Sequence, residues 1–435
     1  MNKLITICAL VIALGSMSFG QNRWNFAGYF PDSTFAKKAT GVHGIAVDPA
    51  GKIWVQWYGR TDSLPRGGGG FAGTLGIYVF NPNGTQAPFS PIKILAGAGV
   101  NDTLFLATPT LSNRGLRGDI DGNIIASIQD RLYRLNYQTG AVMNKVTGIT
   151  GVTTAVGVDT LGEIFVTPVL PGNPIRIYAS NFSSLGNVTD TAVGFSRTVE
   201  ASKDGNDVFS CSFTYPAILR YHSDFGSFGP YVCTPSDTLR KGIVCESICW
   251  NPTRTRLWVS SGYVGAAPAS IYPHNTWYAC NTATNTFTDS LKWFWYNTDS
   301  ANTRPRAIAF SPDGLTAYVG CFGAGTYPSL EKFTFGPSSV EPDPSVIPNA
   351  FTLSQNYPNP FNPSTEIKFT LTKTGFVTLK VYSMLGQEVA ALVNEDLGVG
   401  GYTSHFDASK LSSGTYMYRL TANGQSISKK MMLVK

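Results

Sequence analysis

The chain is short of charge. Asp, Glu, Lys and Arg make up only 14 % of its 435 residues, well below the usual quarter. The net charge is +6, and no run of lysine or arginine follows one groove or one face. Nucleic-acid-binding domains carry such a basic stripe, so the sequence excludes nucleic acid as the expected partner.

Long apolar runs are also missing. The one candidate, Leu4 to Leu14, follows the positive start Met1-Asn2-Lys3 and is too short to anchor in a bilayer. Small residues at Ser18 and Gly20 match a signal-peptidase site. We expect residues 1–20 to be a signal peptide, and the mature chain to reach the periplasm without a transmembrane segment.

Cysteine and histidine are sparse. Six cysteines follow the signal peptide, and the whole chain has four histidines. No C-x-x-C pair occurs and no histidine lies near a pair of cysteines, so no metal site and no cofactor are expected. The even count permits disulfides in an exported chain, but leaves their pairing open. The cysteines are Cys211, Cys233, Cys245, Cys249, Cys280 and Cys321.

Helical periodicity and familiar catalytic motifs are absent too. No window repeats apolar residues every 3.6 positions. There is no nucleophile elbow, no His-Glu-x-x-His and no phosphate-binding loop. In contrast, the chain has 45 glycines and 12 % aromatic residues. This composition is typical of an extracellular all-β protein.

A repeat dominates residues 21–336. An apolar strand, a tight turn that mostly ends in glycine and a second apolar strand recur at steps of 71, 40, 43, 49 and 60 residues. A four-stranded blade needs about 40–50 residues, and insertions account for the two long steps. We predict a six-bladed β-propeller, with seven blades as the alternative. Trp24 to Phe30 is expected to add a strand that closes the ring. The turns begin at Asp48, Asp119, Asp159, Ser202, Asn251 and Ser311.

In the turn pattern Asp-x-x-Gly-x-Ile-x-Val, the repeat resembles the NHL, YVTN and gluconolactonase-like propellers. The third copy, Asp159 to Val166, shows it well. The resemblance implies the fold and transfers no function. Gluconolactonase-like propellers hold calcium or zinc, which needs several converging carboxylate or asparagine ligands. The channel-lining positions described next offer only one such ligand, so neither metal is expected here.

One register position suggests a site. The first strand of each propeller blade lines the central channel, and five residues before each turn the copies hold mostly charged or polar side chains. Arginine suits bidentate recognition of carboxylates, so the ring predicts an anionic ligand, such as an acidic sugar. The alternative is the wet wall of a solvent-filled channel with Glu246 paired to an arginine. The ring consists of His43, Arg114, Thr154, Arg197, Glu246 and Arg306.

The C-terminal fifth has a different pattern. Residues 337–348 are rich in proline and predict an extended linker. Residues 349–435 alternate apolar and polar residues between glycine turns, which predicts a small Ig-like antiparallel β-sandwich. Four blocks are distinctive: Tyr357 to Thr365, Leu379 to Val389, Leu411 to Leu420, and Lys429 to Lys435.

In their order and spacing these blocks resemble the type A C-terminal sorting domain of the type IX secretion system, over residues 347–435. The resemblance implies docking on the outer-membrane secretion machinery, then removal of the domain near the linker, with release or attachment to surface lipopolysaccharide. The protein is then extracellular or on the outer-membrane surface. The residues that carry the resemblance are Pro358, Asn359, Pro360, Phe361, Asn362, Pro363, Gly386, Gly414, Tyr416, Lys429, Lys430 and Lys435.

The activity of the propeller follows less directly. Without a catalytic cluster, we expect a binding or scaffolding module whose ligand is an anionic glycan or a protein. The alternative is a lyase or hydrolase that acts on an extracellular polysaccharide in the channel. An enzyme should gather titratable residues with shifted pKa values there, whereas a binding module needs only arginines and aromatic rings.

Overall fold

The computed structural model describes residues 24–32, 35, 41–58, 62–65, 71–104, 113–212, 214–234, 237–262, 270–274, 276–292, 304–322, 329–335, 340–343, 349–373, 375–397, 399–409 and 411–435. These residues form strands, turns and loops, with no α-helix among them. In this part of the chain, no helix has the length and hydropathy that crossing a membrane requires. The fold is all-β, as predicted.

The described residues up to Phe335 form six blade-like sheets and two small hairpins. The N-terminal strand β1 (Trp24–Tyr29) belongs to the last sheet. The first two blades and the two hairpins use β2 (Val42–Val47), β3 (Ile53–Trp57), β4 (Asp62–Pro65), β5 (Phe71–Thr74), β6 (Ile77–Phe80), β7 (Ile94–Gly97), β8 (Val100–Thr103), β9 (Asn113–Gly118), β10 (Ile124–Ile128), β11 (Arg131–Leu135) and β12 (Val142–Val146). The next two use β13 (Thr153–Val158), β14 (Ile164–Pro168), β15 (Ile175–Tyr178), β16 (Ser184–Thr189), β17 (Ser196–Ala201), β18 (Asp207–Ser212), β19 (Tyr215–His222) and β20 (Thr238–Leu239). The last two use β21 (Ile248–Trp250), β22 (Leu257–Ser260), β23 (Thr276–Asn281), β24 (Thr286–Lys292), β25 (Arg304–Phe310), β26 (Thr316–Phe322) and β27 (Leu330–Phe335).

The first strands of these sheets surround a common axis. Blades 1 to 6 begin at β2, β9, β13, β17, β21 and β25, and each of these strands contacts the next, with β25 returning to β2. The N-terminal strand β1 pairs antiparallel with β27, so it completes the blade that the C-terminal end of the propeller began. The predicted closing strand is confirmed. This pairing covers an edge of the last sheet that would otherwise expose unpaired backbone groups.

The turns are stabilised by hydrogen bonds from the backbone to the side chain of their first residue. In blade 1, Asp48 Oδ1 accepts the backbone N–H groups of Ala50 and Lys52, both at 2.9 Å. Gly51 then takes a φ of 78°, a region that only glycine enters without strain. Asp119 and Asp159 repeat the same pair of hydrogen bonds in blades 2 and 3.

Glycines bring the inner strands close together. A Cβ at Gly157 would lie 2.9 Å from both the Cα of Glu200 and the carbonyl oxygen of Val199. These are backbone atoms, so a strand has to move. We expect Gly157→Ala to lower the free energy of unfolding by about 1–3 kcal/mol, measured by urea denaturation.

Gly118→Ala is the matched control for that prediction. Gly118 lies on the inner strand of blade 2, and nothing lies within 4 Å of a Cβ built there. This variant should stay within about 0.5 kcal/mol of the original chain. Equal losses in the two variants would contradict the close-approach argument.

The C-terminal strands form a sandwich of two four-stranded antiparallel sheets, as predicted. Ile367 and Phe369 from one sheet pack with Leu379, Tyr418 and Leu420 from the other in a single buried core. The strands are β28 (Val340–Asp343), β29 (Thr352–Leu353), β30 (Ser364–Leu371), β31 (Gly375–Ser383), β32 (Glu388–Leu397), β33 (Gly400–Asp407), β34 (Gly414–Ala422) and β35 (Gln425–Leu433).

The segment predicted as a linker contributes to this sandwich. Within residues 337–348, strand β28 pairs with β33 along Val340 to Asp343. Its proline at 342 is tolerated because β28 is an edge strand with one unpaired side. These four residues therefore belong to the C-terminal sheet rather than to a free spacer.

Candidate functional site

The predicted ring position coincides with a repeated irregularity of the inner strands. In five blades the register between the first and second strands shifts there, so one residue of the first strand has no partner. Such β-bulges re-aim a side chain at the rim of a sheet. The extra residues are His43, Arg114, Thr154, Arg197 and Arg306.

At this end of the channel, which we call the ring mouth, charges and rings pack together. Arg306 forms an ion pair of 2.7 Å with Glu246, whose side chain is fully buried. The guanidinium also lies over the ring of Phe322, 5.4 Å from its centre. His43 contacts the rings of Phe322 and Tyr58, at 4.9 and 4.7 Å. Burial lowers the pKa of Arg306, and Glu246 opposes that shift.

The remaining ring residues differ in role. Arg197 is half-buried and lines the same central cavity as His43 and Arg306. Thr154 is buried, and its hydroxyl lies 3.4 Å from the carbonyl oxygen of Ser196. The side chain of Arg114 lies outside the described residues. The structure thus brings His43, Arg197 and Arg306 to one cavity, with Glu246 beside Arg306.

That cavity is small. Its volume is about 20 Å³, which is room for about one water molecule. Gly44, Gly115 and Ala155 bring the inner strands together around it. Among the described residues the ring mouth therefore has no cavity of the size of a sugar, because the inner strands lie close together there. The anionic-ligand role of this ring stays a prediction.

The opposite end of the channel holds a group that sequence reasoning missed. Two residues before each turn, blade 2 presents Arg117 and blade 4 presents Glu200, and they form a 2.5 Å ion pair across the axis. Arg117 also donates to the carbonyl oxygen of Ile248 in blade 5, at 2.7 Å. Burial raises the pKa of Glu200, although Arg117 and Arg254 both oppose the shift.

Arg254 has an unusual backbone. It occupies the last turn position of blade 5 and takes a φ of 53°, a left-handed conformation that is uncommon for residues other than glycine. Its side chain crosses the axis and donates to the carbonyl oxygens of Ala201 and Val158. The other five copies place glycine at this position: Gly51, Gly122, Gly162, Gly205 and Gly314.

These residues line a cavity of about 410 Å³, a size that small-molecule sites commonly have. Trp250 closes one side, and its Nε1 donates to the carbonyl oxygen of Ala201 at 2.7 Å. An adjoining cavity of about 370 Å³ shares Arg254 and includes Asp159. We call the group Arg117, Glu200, Cys249, Trp250 and Arg254 the turn mouth.

Two sequence signals could have revealed the turn mouth. Successive residues of a strand point to opposite faces, so positions four and two before each turn lie on the same face. The small residues at the fourth position mark the face toward the channel, and the second position before the turn therefore also faces the channel. Arg254 is also the one residue other than glycine at the last turn position of the six copies.

The cysteines are free thiols. Cys211, Cys245 and Cys280 lie together in the buried core of blades 4 and 5, and burial raises the pKa of Cys211 well above its usual value. Within the described part of the chain, no three His, Cys, Asp or Glu residues are grouped so that they could hold a metal ion.

The residues that resemble a sorting signal are divided between core and surface. Phe361 is 2 % exposed, and its backbone pairs with Met432 and Val434 of the terminal segment. Asn359 accepts the N–H of Met432 at 2.9 Å. Tyr416 is buried and donates to the carbonyl oxygen of Ser412. The first proline-rich block is thus held against the last strand.

The other members of this set are exposed or lie in turns. Gly386 takes a φ of 81° in the hairpin between β31 and β32, beside Leu385, which is 96 % exposed. Lys435 donates to the carbonyl oxygen of Ser409 at 2.6 Å. The exposed members are Pro358, Asn359, Pro360, Asn362, Pro363, Gly386, Gly414, Lys430 and Lys435, while Lys429 is half-buried.

Residues 355–435 match the family described as the secretion system C-terminal sorting domain. The chain therefore carries a type IX sorting domain, which directs export to the cell surface or the extracellular space and implies contact with the secretion machinery. The predictions of the sorting domain and of this location are confirmed. No curated protein matches the chain in sequence.

Three solved structures are similar to the chain. PorZ, a surface component of the type IX secretion system of Porphyromonas gingivalis, is 12 % identical with a TM-score of 0.37, over 90 % of this chain and 51 % of PorZ. The chain thus spans about half of the PorZ structure. A streptogramin B lyase is 11 % identical with a TM-score of 0.44, over 69 % and 95 %. A Xanthomonas campestris gluconolactonase is 13 % identical with a TM-score of 0.44, over 71 % and 92 %.

Proposed function

We propose that this exported propeller is a recognition module, and that it binds an anionic ligand at the turn mouth. The ligand chemistry is the one that the sequence suggested for the ring, moved to the other end of the channel. Two arginines and three carboxylates line the turn-mouth cavity of about 410 Å³. Each carboxylate has a cationic partner (Glu200 with Arg117, Asp48 with Lys52, Asp119 with Arg134), so among the described residues Arg254 is the guanidinium left without a carboxylate partner. The ring mouth holds Arg197 and an Arg306 paired with Glu246, around a cavity of about 20 Å³.

The conformation of Arg254 carries this proposal. A residue other than glycine at positive φ costs of order 1 kcal/mol or more, and such strain concentrates at functional sites. Five copies of the turn avoid it by using glycine. In blade 5 the strained residue places a guanidinium in the turn-mouth cavity. A turn with a structural role alone would be more stable with glycine, whereas an anion site requires the guanidinium.

Donor groups remain for a ligand. A guanidinium has five N–H donors. Arg254 uses two nitrogen atoms on the carbonyl oxygens of Val158 and Ala201, and Arg117 reaches Glu200, Ile248 and Leu116. The backbone carbonyls fix the planes of both guanidinium groups. Arginines held in this way lose little entropy when they bind a carboxylate or a phosphate.

The enzyme alternative has one observation in its favour. Glu200 is buried in a cavity with a raised pKa, a property common among catalytic acids. Yet its Oε1 is 2.5 Å from Arg117 Nε. The two other carboxylates that line the cavity, Asp48 and Asp119, bind their own turn amides. A binding role accounts for all of these contacts, and release of reducing ends from a polysaccharide by the purified chain would favour the alternative.

Arg254→Gly tests the proposal. The probes are galacturonate oligomers, citrate and inorganic phosphate, titrated into the purified chain by calorimetry. We expect at least one of them to bind, and Arg254→Gly to weaken that binding at least about tenfold, a loss of 1.4 kcal/mol. The fold should survive, because glycine relieves the positive φ.

Two variants sharpen this experiment. Gln129→Gly relieves another positive φ, 58°, away from the turn mouth, and should leave binding unchanged. Arg197→Ala reports on the ring mouth: an affinity that falls in this variant and not in Arg254→Gly returns the site to the predicted ring. Failure of every anionic probe to bind would overturn the proposal.

A further inference from the structure

A second cavity opens between blades 5 and 6 on the same face as the turn mouth. Its volume is about 570 Å³, and it shares Asn251, Pro252, Phe310 and Pro312 with the turn-mouth cavity. We call it the blade groove. It lies off the channel axis, and neither Arg117, Glu200 nor Arg254 lines it. Its chemistry therefore differs from that of the turn mouth.

The floor of the blade groove is aromatic. Trp24 from the closing strand lies 5.7 Å from Trp258 and from Phe310, and 5.1 Å from Phe335, measured between ring centres. All four rings line the cavity. Aromatic rings offer flat apolar area at little conformational cost. Trp24, Trp258 and Phe310 are only 8, 4 and 8 % exposed, so the floor offers a narrow apolar area, enough for part of one flat C–H-bearing face.

The rim of the groove is polar and mostly acidic. Arg256 is held by Thr288 Oγ1 at 2.9 Å and by the carbonyl oxygen of Thr255 at 2.8 Å. Asp289 and Asp313 stand on the same rim. Hydrogen bonds from Ser311 and Leu315 lower the pKa of Asp313, so it remains ionised. Two carboxylates against one guanidinium disfavour an anionic ligand.

Trp24 supplies an independent sign that something polar binds here. It is only 8 % exposed, and its Nε1 has no hydrogen-bond acceptor among the described residues. A buried donor without a partner costs about 1–3 kcal/mol. Trp24 lines the groove, but Nε1 itself is buried, so a ligand hydroxyl accepts from it only when the ring turns toward the groove.

We propose that the blade groove binds a neutral oligosaccharide. A pyranose ring has an apolar face that stacks on aromatic side chains and hydroxyl groups that bond to carboxylate and guanidinium edges. The groove presents both surfaces together, with an acidic rim that rejects uronic acids. This second site is independent of the anionic ligand proposed for the turn mouth, and each site can fail without the other.

The test titrates neutral cello-, malto-, xylo-, manno- and chito-oligosaccharides into the purified chain. Calorimetry gives the affinity of each series. We expect at least one neutral series to bind, and galacturonate oligomers not to compete with it, since the turn-mouth cavity and the blade groove are separate cavities. Trp24→Phe keeps an aromatic ring but removes Nε1, and should weaken binding several-fold.

Asp313→Asn is the second variant, chosen because Asp313 is exposed and its amide retains the turn bonds. It should weaken binding about tenfold. Asp204→Asn is its matched control: Asp204 occupies the same turn position in blade 4 and accepts the corresponding bonds from Ser202 and Asn206, outside the groove. Absence of binding by every neutral series, or equal affinities in all three variants and the original chain, overturns the proposal.

Discussion

Replacing Arg117 by methionine is expected to lower the free energy of unfolding of the propeller by about 3–5 kcal/mol. The substitution leaves Glu200, which is 2 % exposed, without its partner at 2.5 Å. It also removes a donor from the carbonyl oxygen of Ile248. These contacts connect blades 2, 4 and 5 across the channel, so the substitution removes interactions that hold three blades together.

Urea denaturation followed by tryptophan fluorescence measures this loss. All eight tryptophans lie before residue 337, so the signal reports on the propeller. The double variant Arg117→Met with Glu200→Gln should recover much of the stability, because no buried charge then remains unpaired.

Arg131→Met is the control in the same blade. Arg131 and Asp130 are 39 % and 47 % exposed, and such pairs contribute at most about 1 kcal/mol. If Arg117→Met costs no more than Arg131→Met, the ion pair between Arg117 and Glu200 does not stabilise the propeller.

Asp159→Asn is expected to stabilise the chain by about 2–3 kcal/mol at pH 7. Burial raises the pKa of Asp159 to about 6, and the neighbouring Glu163 adds to the shift. Oδ1 accepts the N–H groups of Leu161 and Glu163 at 2.9 and 2.8 Å, which asparagine preserves. The new amide nitrogen then faces Glu163 as a donor instead of a like charge.

The pH dependence has a definite sign. The folded-state pKa of about 6 lies above the ordinary value of 3.8, so protonated Asp159 favours folding. That contribution is complete below about pH 4 and is lost as the pH rises through 6. The original chain should therefore lose stability over this window, while Asp159→Asn should lose less. Parallel pH profiles for the two chains would contradict the prediction.

Asp48→Asn provides a control of opposite sign. Asp48 has the same turn position in blade 1, but its Oδ2 accepts Trp54 Nε1 at 3.0 Å. Asparagine would turn a donor toward that buried N–H, which should cost about 1–3 kcal/mol. One substitution at equivalent positions should thus stabilise blade 3 and destabilise blade 1.

The predicted ring shows where sequence reasoning ends. The repeat predicted that His43, Arg197 and Arg306 lie at one level, because equivalent positions of a repeat occupy equivalent positions in the fold, and these three residues line one cavity. It could not show that this position is a β-bulge, since nothing in the local sequence marks the extra residue. Nor could it show how little space lies behind these side chains.

Arg254 shows the opposite limit. The sequence shows that arginine replaces the glycine of the other five turns, but it does not show which groups the side chain contacts. Its partners Ala201 and Val158 lie 53 and 96 residues away in the chain. The aromatic floor of the blade groove likewise joins Trp24 to Trp258 only because the first strand closes the last blade.

By itself, the sequence determined the all-β class, the Asp and Gly turns, the closing strand and the C-terminal sorting domain. Each of these depends on short-range chemistry: strand alternation, side-chain caps on tight turns, or a motif in contiguous blocks. The tertiary structure alone decided which charges meet at each end of the channel. Arg117 reaches Glu200 over 83 residues and Ile248 over 131, and only closure of the ring of blades fixes such distances.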